Sequence, residues 1–363
     1  MANEAPNTAQ VGNKEKLFAW LAMARVANLP TVWSCAFVCL TPLFLYIGAS
    51  GDLNSAVEWS KFPPFYRAVT TLVVTLLAAG SLIYCGGCIL GDFVDRHLDR
   101  ATRPNRPIPS RTVSPASALV AAISFLAGGV LVLVLADLTL PWPDGRGRFG
   151  PEWLAIIGSI VTKLTSLEIR SFALLIISII SYALLHKRVP LLGLLLMSAC
   201  RFLLPVFFYD SIQSAMSRYT LEYDRPNIVW YALALATYTA GIVLVARTES
   251  SATPFTKFLK LSLLIAVLPV VCVLQENLQA AFTPSFLAAS LIFLGWLALA
   301  GRDLVQNNKP AFVSKLLAGF CLLDLLVVAS FPVDRSEPQL WPLLIPLAFL
   351  SLSLLLQKLT PAT

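Results

Sequence analysis

The chain has 363 residues, 57% of them hydrophobic and 13% charged, with a formal net charge of +7. A soluble domain carries roughly 45–50% apolar and about 25% charged residues, so a water-soluble enzyme, a disordered protein and a disulfide scaffold are all excluded. The apolar residues gather in blocks about as long as a bilayer is thick, which predicts an all-α, polytopic transmembrane helix bundle.

The first dozen residues are polar and small. Residues 15–27, EKLFAWLAMARVA, are amphipathic and carry Lys16 and Arg25. They predict a surface helix leading into the membrane, because no short apolar core with a small-residue cleavage site follows. Apolar segments then recur at 28–49, 68–90, 117–138, 171–186, 189–209, 228–246, 258–275, 281–300, 313–332 and 339–356. The fourth is short, so the expected count is nine to ten spans. Residues 153–165 are too short and too interrupted to cross, and read as a helix on the outer surface. The chain thus divides into an N-terminal cytoplasmic tail with an amphipathic helix (1–27), a transmembrane domain (28–357) and a short tail (358–363).

Orientation follows from Lys and Arg. With the N-terminus inside, the inside segments hold 17 of these residues and the outside segments nine, and only Arg201 sits within a span. The basic balance is therefore a matter of topology and does not point to nucleic acid. The expected location is the plasma (inner) membrane, with the charged loop after the second span facing the cytoplasm. The seven cysteines all fall in apolar runs. Cys85 and Cys88 form a C-x-x-C with no second pair or His cluster, whereas a zinc site needs four ligands. They read as small packing residues.

One stretch stands apart. Residues 91–114, GDFVDRHLDRATRPNRPIPSRTVS, hold three aspartates and five arginines in a chain otherwise nearly free of charge. At about 100° per residue, Asp92, Asp95 and Asp99 fall at roughly 0°, 300° and 340°, within one 60° arc. Three carboxylates on one face repel unless a cation sits among them, which points to a hard, oxygen-liking ion such as Mg²⁺. Arg103 shares that face if the helix persists to Pro104. Carboxylates, Mg²⁺ and guanidinium forks together make a site for a di- or polyphosphate. Pro104, Pro107 and Pro109 end the helix and stiffen the turn back to the membrane.

GDFVDRHLDRATRPNRPIPS resembles the first aspartate-rich motif of the UbiA superfamily of intramembrane prenyltransferases. That motif reads roughly N-D-x-x-D-x-x-x-D, followed by R-P-x-P-S-G, just after the second span. The resemblance implies a helical bundle of about nine spans. In it, Mg²⁺ and two aspartate-rich motifs bind a prenyl diphosphate whose prenyl group passes to an aromatic or other lipophilic acceptor. Asp92, Asp95 and Asp99 then take the metal, and Arg103 and Arg106 join them in the catalytic set. The leading Asn is Gly91 here, and the Gly after P-S is Arg111. The place of the second motif, ARTESSATP at 246–254, offers Arg247 and Glu249 in place of aspartates; they are candidate substrate contacts, or a surface ion pair. A Gly-first motif with an A-R-x-E second one resembles the EboC-like subgroup.

SYALLHKR, 181–188, looks like the family's Tyr…Lys element and brings in Tyr182 and Lys187. These two are five apart and cannot stack on one face, whereas His186 has the four-residue spacing. Arg201, inside the fifth span, is costly at membrane depth and must face a polar cavity or an acid such as Asp324. The first makes it a substrate contact. Asp303 reads as loop, and His97 points away from the aspartates. Two rival readings are a non-catalytic prenyl-diphosphate or lipid binder or transporter on the same fold, and a transporter whose aspartates form a cation path.

Overall fold

The computed structural model describes residues 12–49, 63–139, 167–217, 228–247, 267–275, 283–306, 308–331 and 340–360. Helix α1 is Asn13–Met23, a 3₁₀ turn follows at Val26–Asn28, and α2 is Leu29–Ala49. Next come α3 (Pro63–Thr102), α4 (Pro115–Thr139), α5 (Leu167–Leu185), α6 (Pro190–Met216) and α7 (Ile228–Arg247). Residues 267–275 form α8. The chain ends with α9 (Pro284–Val305), α10 (Lys309–Ala318), α11 (Phe320–Ser330) and α12 (Trp341–Leu359). Among the described residues there is no strand.

Among the same residues, seven helical stretches are long and apolar enough to cross a bilayer, and Ile169–Leu185 and Ile228–Leu244 are shorter apolar helices. Among the described residues the fourth expected span is the helix Leu167–Leu185. The surface helix expected at 153–165 and the start of the span expected at 258–275 lie outside the described residues.

The bundle is organised around α2 and α11. Every residue of α11 is buried, and α2 packs on α3, α6, α11 and α12. Helix α3 pairs with α4, α5 with α6, and α6 with α7, while α12 rests on both α2 and α11. The two ends of the chain are tied where Ser353 Oγ donates to the Ala27 carbonyl at 2.9 Å. The outer faces of α4, α9 and α12 expose Val120, Leu131, Leu291 and Leu344. Lipid accepts such surfaces and water does not. Helices α3 and α4 approach closely at Gly86, where a Cβ would stand 3.1 Å from the Leu126 backbone nitrogen. Small residues at such crossings let backbones meet in a membrane.

Helix α3 has 40 residues, about 60 Å at 1.5 Å per residue. The hydrocarbon core is about 30 Å thick, so the stretch expected to cross, 68–90, is followed by three helical turns beyond it. The segment read as a charged loop therefore begins as helix, and Asp92, Asp95 and Asp99 do share its face. After Thr102 the chain turns back through backbone bonds from Arg106 to the Arg103 carbonyl and from Val113 to the Pro107 carbonyl. Ile108 and Val113, each 3% exposed, pin that turn. Helix α4 then starts with Pro115 at its first position and Ser114 as cap, its Oγ accepting from the Ser117 amide at 3.1 Å.

The ninth expected span, 313–332, is not one helix. It breaks at Gly319 into α10 and α11. The break leaves the Leu316 carbonyl to the Tyr238 hydroxyl, which donates to it at 2.8 Å, while the Lys315 carbonyl keeps the Gly319 amide and also accepts from Trp296 Nε1 at 2.8 Å. Freed backbone groups at membrane depth must be satisfied in this way. A Cβ at Gly319 would collide with the Tyr238 hydroxyl oxygen, so the residue that breaks the span also admits its partner. Asp303 is not loop either; it lies in the last turn of α9 and pairs with Lys315 across to α10 at 2.6 Å.

Candidate active site

One face of α3 carries the site. Gly80, Ile83, Tyr84, Gly87, Cys88, Gly91, Asp92 and Asp95 recur at three- and four-residue steps and line a cavity of about 170 Å³. Such steps place residues on one helical stripe. The opposing wall comes from α5 and α6, with Ile179, Tyr182, His186, Cys200, Arg201 and Leu204. Ligand clefts commonly span roughly 300–1,000 Å³. A long hydrocarbon chain must therefore extend beyond the cavity, between helices that are already apolar.

Two of the three aspartates line the cavity, namely Asp92 and Asp95. Asp99 is buried at 3% exposure and is held by Arg106, whose Nη1 donates to Asp99 Oδ2 at 2.8 Å and to Asp92 Oδ1 at 3.2 Å. The turn after α3 is what returns Arg106 to that helix. Arg103 stays exposed, and its wheel position past the end of the helix does not bring it into the cavity. Arg96 packs over the Phe93 ring, 4.1 Å from its centre. His97 is exposed, as its position opposite the aspartates predicts.

Asp95 is served from α5. His186 Nε2 lies 3.3 Å and Lys187 Nζ 3.5 Å from Asp95 Oδ2. The four-residue spacing that excludes Lys187 brings His186 and Tyr182 together, their rings stacked at 4.7 Å. His186 Nδ1 also meets the Tyr182 carbonyl at 2.8 Å. Lys187 still reaches the site, with its side chain half exposed.

Sequence reasoning missed Arg25, counting it only toward topology. Its backbone is left-handed, with φ 48° and ψ 47°, a conformation uncommon outside glycine. That turn between α1 and the 3₁₀ segment lets its guanidinium line the cavity, with Nη2 3.9 Å from Asp92 Oδ1. No sequence signal separates it from the other basic residues flanking spans.

These contacts balance the carboxylates unequally. Burial pushes the Asp92 carboxyl above its ordinary range, the nearby Asp99 and Asp95 add to this, and Arg25 and Arg106 only partly offset it. Burial also pushes Asp95 up, but the hydrogen bond and charge of His186 and the charge of Lys187 hold it below the ordinary range. Among the described residues no three His, Cys, Asp or Glu side chains converge as a ready-made metal cage. Mg²⁺ keeps several waters and commonly takes one or two carboxylates plus substrate phosphates. Asp92 and Asp95, both facing the cavity and both hard oxygen donors, fit that mode.

Arg201 lines the inner part of the cavity, and its Nη2 lies 3.4 Å from Thr31 Oγ1. It is not paired with Asp324 among the described ion pairs. Asp324 is fully buried and accepts from the Tyr231 hydroxyl at 2.7 Å. Glu249 and the side chain of Arg247 lie outside the described residues.

Comparison with known proteins gives the following. Residues 56–143 match the UbiA prenyltransferase family, a stretch that includes the whole first motif and excludes the region of the second. It is 39% identical over 64 residues to a digeranylgeranylglyceryl phosphate synthase of Methanothrix thermoacetophila, covering 18% of this chain and 24% of that one. A protoheme IX farnesyltransferase of Edwardsiella ictaluri is 22% identical over 74% of this chain and 86% of its own length. A solved structure concerning digeranylgeranylglyceryl phosphate synthase in membranes superposes with TM-score 0.47 at 15% identity, over 87% of this chain and 97% of that one. The matched digeranylgeranylglyceryl phosphate synthases are covered over only 22% to 39% of their length. The matches reach the family and do not specify the EboC-like subgroup.

Proposed function

We propose that this chain, with its UbiA prenyltransferase family domain, is an integral membrane prenyltransferase. It moves a prenyl group from a prenyl diphosphate to a lipophilic acceptor. The observation that carries this reading is the meeting of Asp92, Asp95 and Arg25 at one end of a cavity between α3, α5 and α6. Asp92 and Asp95 would hold Mg²⁺, which would supply positive charge to offset that of the diphosphate. Asp99 acts behind them by fixing Arg106.

Arg106, Arg25 and Lys187 surround the position of a diphosphate and stabilise the negative charge that grows as it leaves. The allylic C–O bond breaks with its electron pair on the diphosphate oxygen. The acceptor then supplies the electron pair of the new bond and loses a proton. Tyr84 and Tyr182 line the same cavity, and their ring faces favour an allylic cation. Ile83, Ile179 and Leu204 keep water away from it. Arg103, Arg247 and Glu249 complete the proposed set, and residues 28–357 form the catalytic unit. The Lys and Arg bias supports a multi-pass protein of the plasma (inner) membrane with this site on the cytoplasmic side.

The test incubates the purified full chain with labelled farnesyl or geranylgeranyl diphosphate, Mg²⁺ and membrane lipid extract, and measures released diphosphate and prenylated product. Asp92→Ala and Asp95→Ala are expected to abolish both. Full activity in either variant would sink the site assignment. Mg²⁺-dependent binding without diphosphate release would favour the non-catalytic binder.

A further inference from the structure

The turn that carries Arg25 is held from the far end of the chain. Arg25 is left-handed, and a non-glycine residue keeps that conformation only where its surroundings impose it. On one side, α1 anchors the turn through Met23, which is buried. On the other, Thr31 Oγ1 donates to the Asn28 carbonyl at 2.7 Å and Ser353 Oγ to the Ala27 carbonyl at 2.9 Å. Ser353 departs from the usual habit of a helical hydroxyl. Thr41, Ser81, Ser211 and Ser351 each donate to the carbonyl four residues back in their own helix. Ser353, fully buried, donates instead to a carbonyl 326 positions away. It ends an inner stripe of α12 made by Pro342, Pro346, Phe349 and Ser353, whose three- and four-residue steps face one side. Phe349 meets the Trp33 ring edge-on at 6.2 Å, and Trp33 Nε1 donates to Ser81 Oγ of α3 at 2.8 Å. The last helix therefore grips the Arg25 turn and, through Trp33, the helix that bears Asp92.

Arg25 Nη2 stands 3.9 Å from Asp92 Oδ1, too far for a hydrogen bond. Its place beside the carboxylate is thus set by the backbone turn and not by a direct bond to Asp92. We propose that Ser353 is a positioning residue for diphosphate binding: its hydroxyl holds the left-handed turn that aims Arg25 into the cavity. The inference rests on the prenyl-transfer reading, in which Arg25 meets the diphosphate. Without the Ser353 hydroxyl, the Ala27 carbonyl loses its donor from α12 and the turn can relax toward right-handed backbone. The Arg25 side chain then leaves the turn in another direction, and its guanidinium no longer flanks Asp92. The effect falls on the anionic end alone. The apolar wall, with Ile83, Ile179 and Leu204, belongs to α3, α5 and α6 and does not depend on the turn.

The test uses the full chain in nanodiscs and three probes: farnesyl diphosphate and inorganic diphosphate, each with Mg²⁺, and neutral farnesol. Ser353→Ala is expected to weaken both anions by about three- to tenfold, the effect of one lost hydrogen bond, while farnesol affinity stays within about twofold. Arg25→Gln is expected to weaken both anions more. Adding Ser353→Ala to Arg25→Gln is expected to cost nothing further, because the side chain being positioned is gone. Ser353→Cys, which keeps a weaker donor, is expected to fall between wild type and Ser353→Ala, and it carries the test if the Ala variant does not fold. Unchanged anion affinity in the Ser353 variants would overturn the proposal. So would an equal loss for farnesol, which marks a general loosening of the bundle, or an additive loss in the double variant. If the wild type binds inorganic diphosphate but not farnesyl diphosphate, the prenyl-transfer reading falls and the same variants decide the positioning role on inorganic diphosphate. If it binds neither anion, both fall.

Discussion

Arg103 and Arg106 are three residues apart in one basic stretch, yet their removal is expected to have very different consequences. Arg106 Nη1 donates to Asp99 at 2.8 Å and to Asp92 at 3.2 Å, and those side chains are 4% and 14% exposed. Arg103 is exposed. Charge-assisted hydrogen bonds contribute about 1.5–3 kcal/mol each, and removing one partner of a buried pair costs roughly 3–5 kcal/mol. Arg106 is itself 21% exposed, and Arg25 remains 3.9 Å from Asp92. Both soften the loss, so Arg106→Ala is expected to destabilise by about 3 kcal/mol, at the lower end of that range. Arg103→Ala is expected to stay within about 0.5 kcal/mol. Cys35, Cys39, Cys85 and Cys321 are buried, so unfolding in detergent can be followed by a thiol-reactive dye. Adding Asp99→Asn to Arg106→Ala removes the orphaned charge and is expected to restore about 1–2 kcal/mol. Equal stability of the two arginine variants, or no recovery in the double variant, would refute the buried-clamp argument.

Gly319→Ala is expected to cost about 2–4 kcal/mol by overpacking and by displacing the Tyr238 hydroxyl from the Leu316 carbonyl. Tyr238→Phe in the same chain should recover part of that loss in the dye assay. Chelation with EDTA should abolish diphosphate release yet leave the unfolding midpoint of the ligand-free protein unchanged, because the carboxylates already have Arg106, Arg25, His186 and Lys187 beside them. Asp95 is held below its ordinary value of 3.8, in part by His186. Its stabilising contribution is complete above that value and fades as pH falls through the lower folded one. His186→Ala should therefore bring acid unfolding in at a higher pH, which a dye-detected pH titration would read.

The fold was legible wherever one residue pattern decides one element. Long apolar runs predicted the spans because each run must hide a whole helix from water. The break at Gly319 was not legible. A single glycine inside an apolar stretch is compatible with a straight helix, and here the break depends on Tyr238 and Trp296. These side chains come from α7 and α9; Tyr238 takes over the Leu316 carbonyl and Trp296 adds a second donor to that of Lys315. That dependence is tertiary, and hydropathy carries no trace of it.

The aspartates were legible for a related reason. They lie on a continuous helix, where sequence spacing fixes direction, and they stand in a chain with only 13% charged residues. Spacing stops being a guide where the helix stops. A wheel drawn through Thr102 places Arg103 among the carboxylates, but the turn after it delivers Arg106 instead. Arg25, 67 positions before Asp92, reaches it through a left-handed residue that no periodicity predicts. The same limit applies within the membrane. Composition marks Arg201 and Asp324 as expensive and invites pairing them, yet Asp324 accepts from Tyr231, and Arg201 lines the cavity within electrostatic reach of Asp324 but without a direct ion pair among the described residues. Cost identifies a charge that needs a partner, and only the packing says which partner it has. The two aspartates that line the cavity and the arginine behind them are thus one unit, assembled from a helix face and a turn. Any substitution that straightens the 103–113 turn should weaken the site while leaving every aspartate in place.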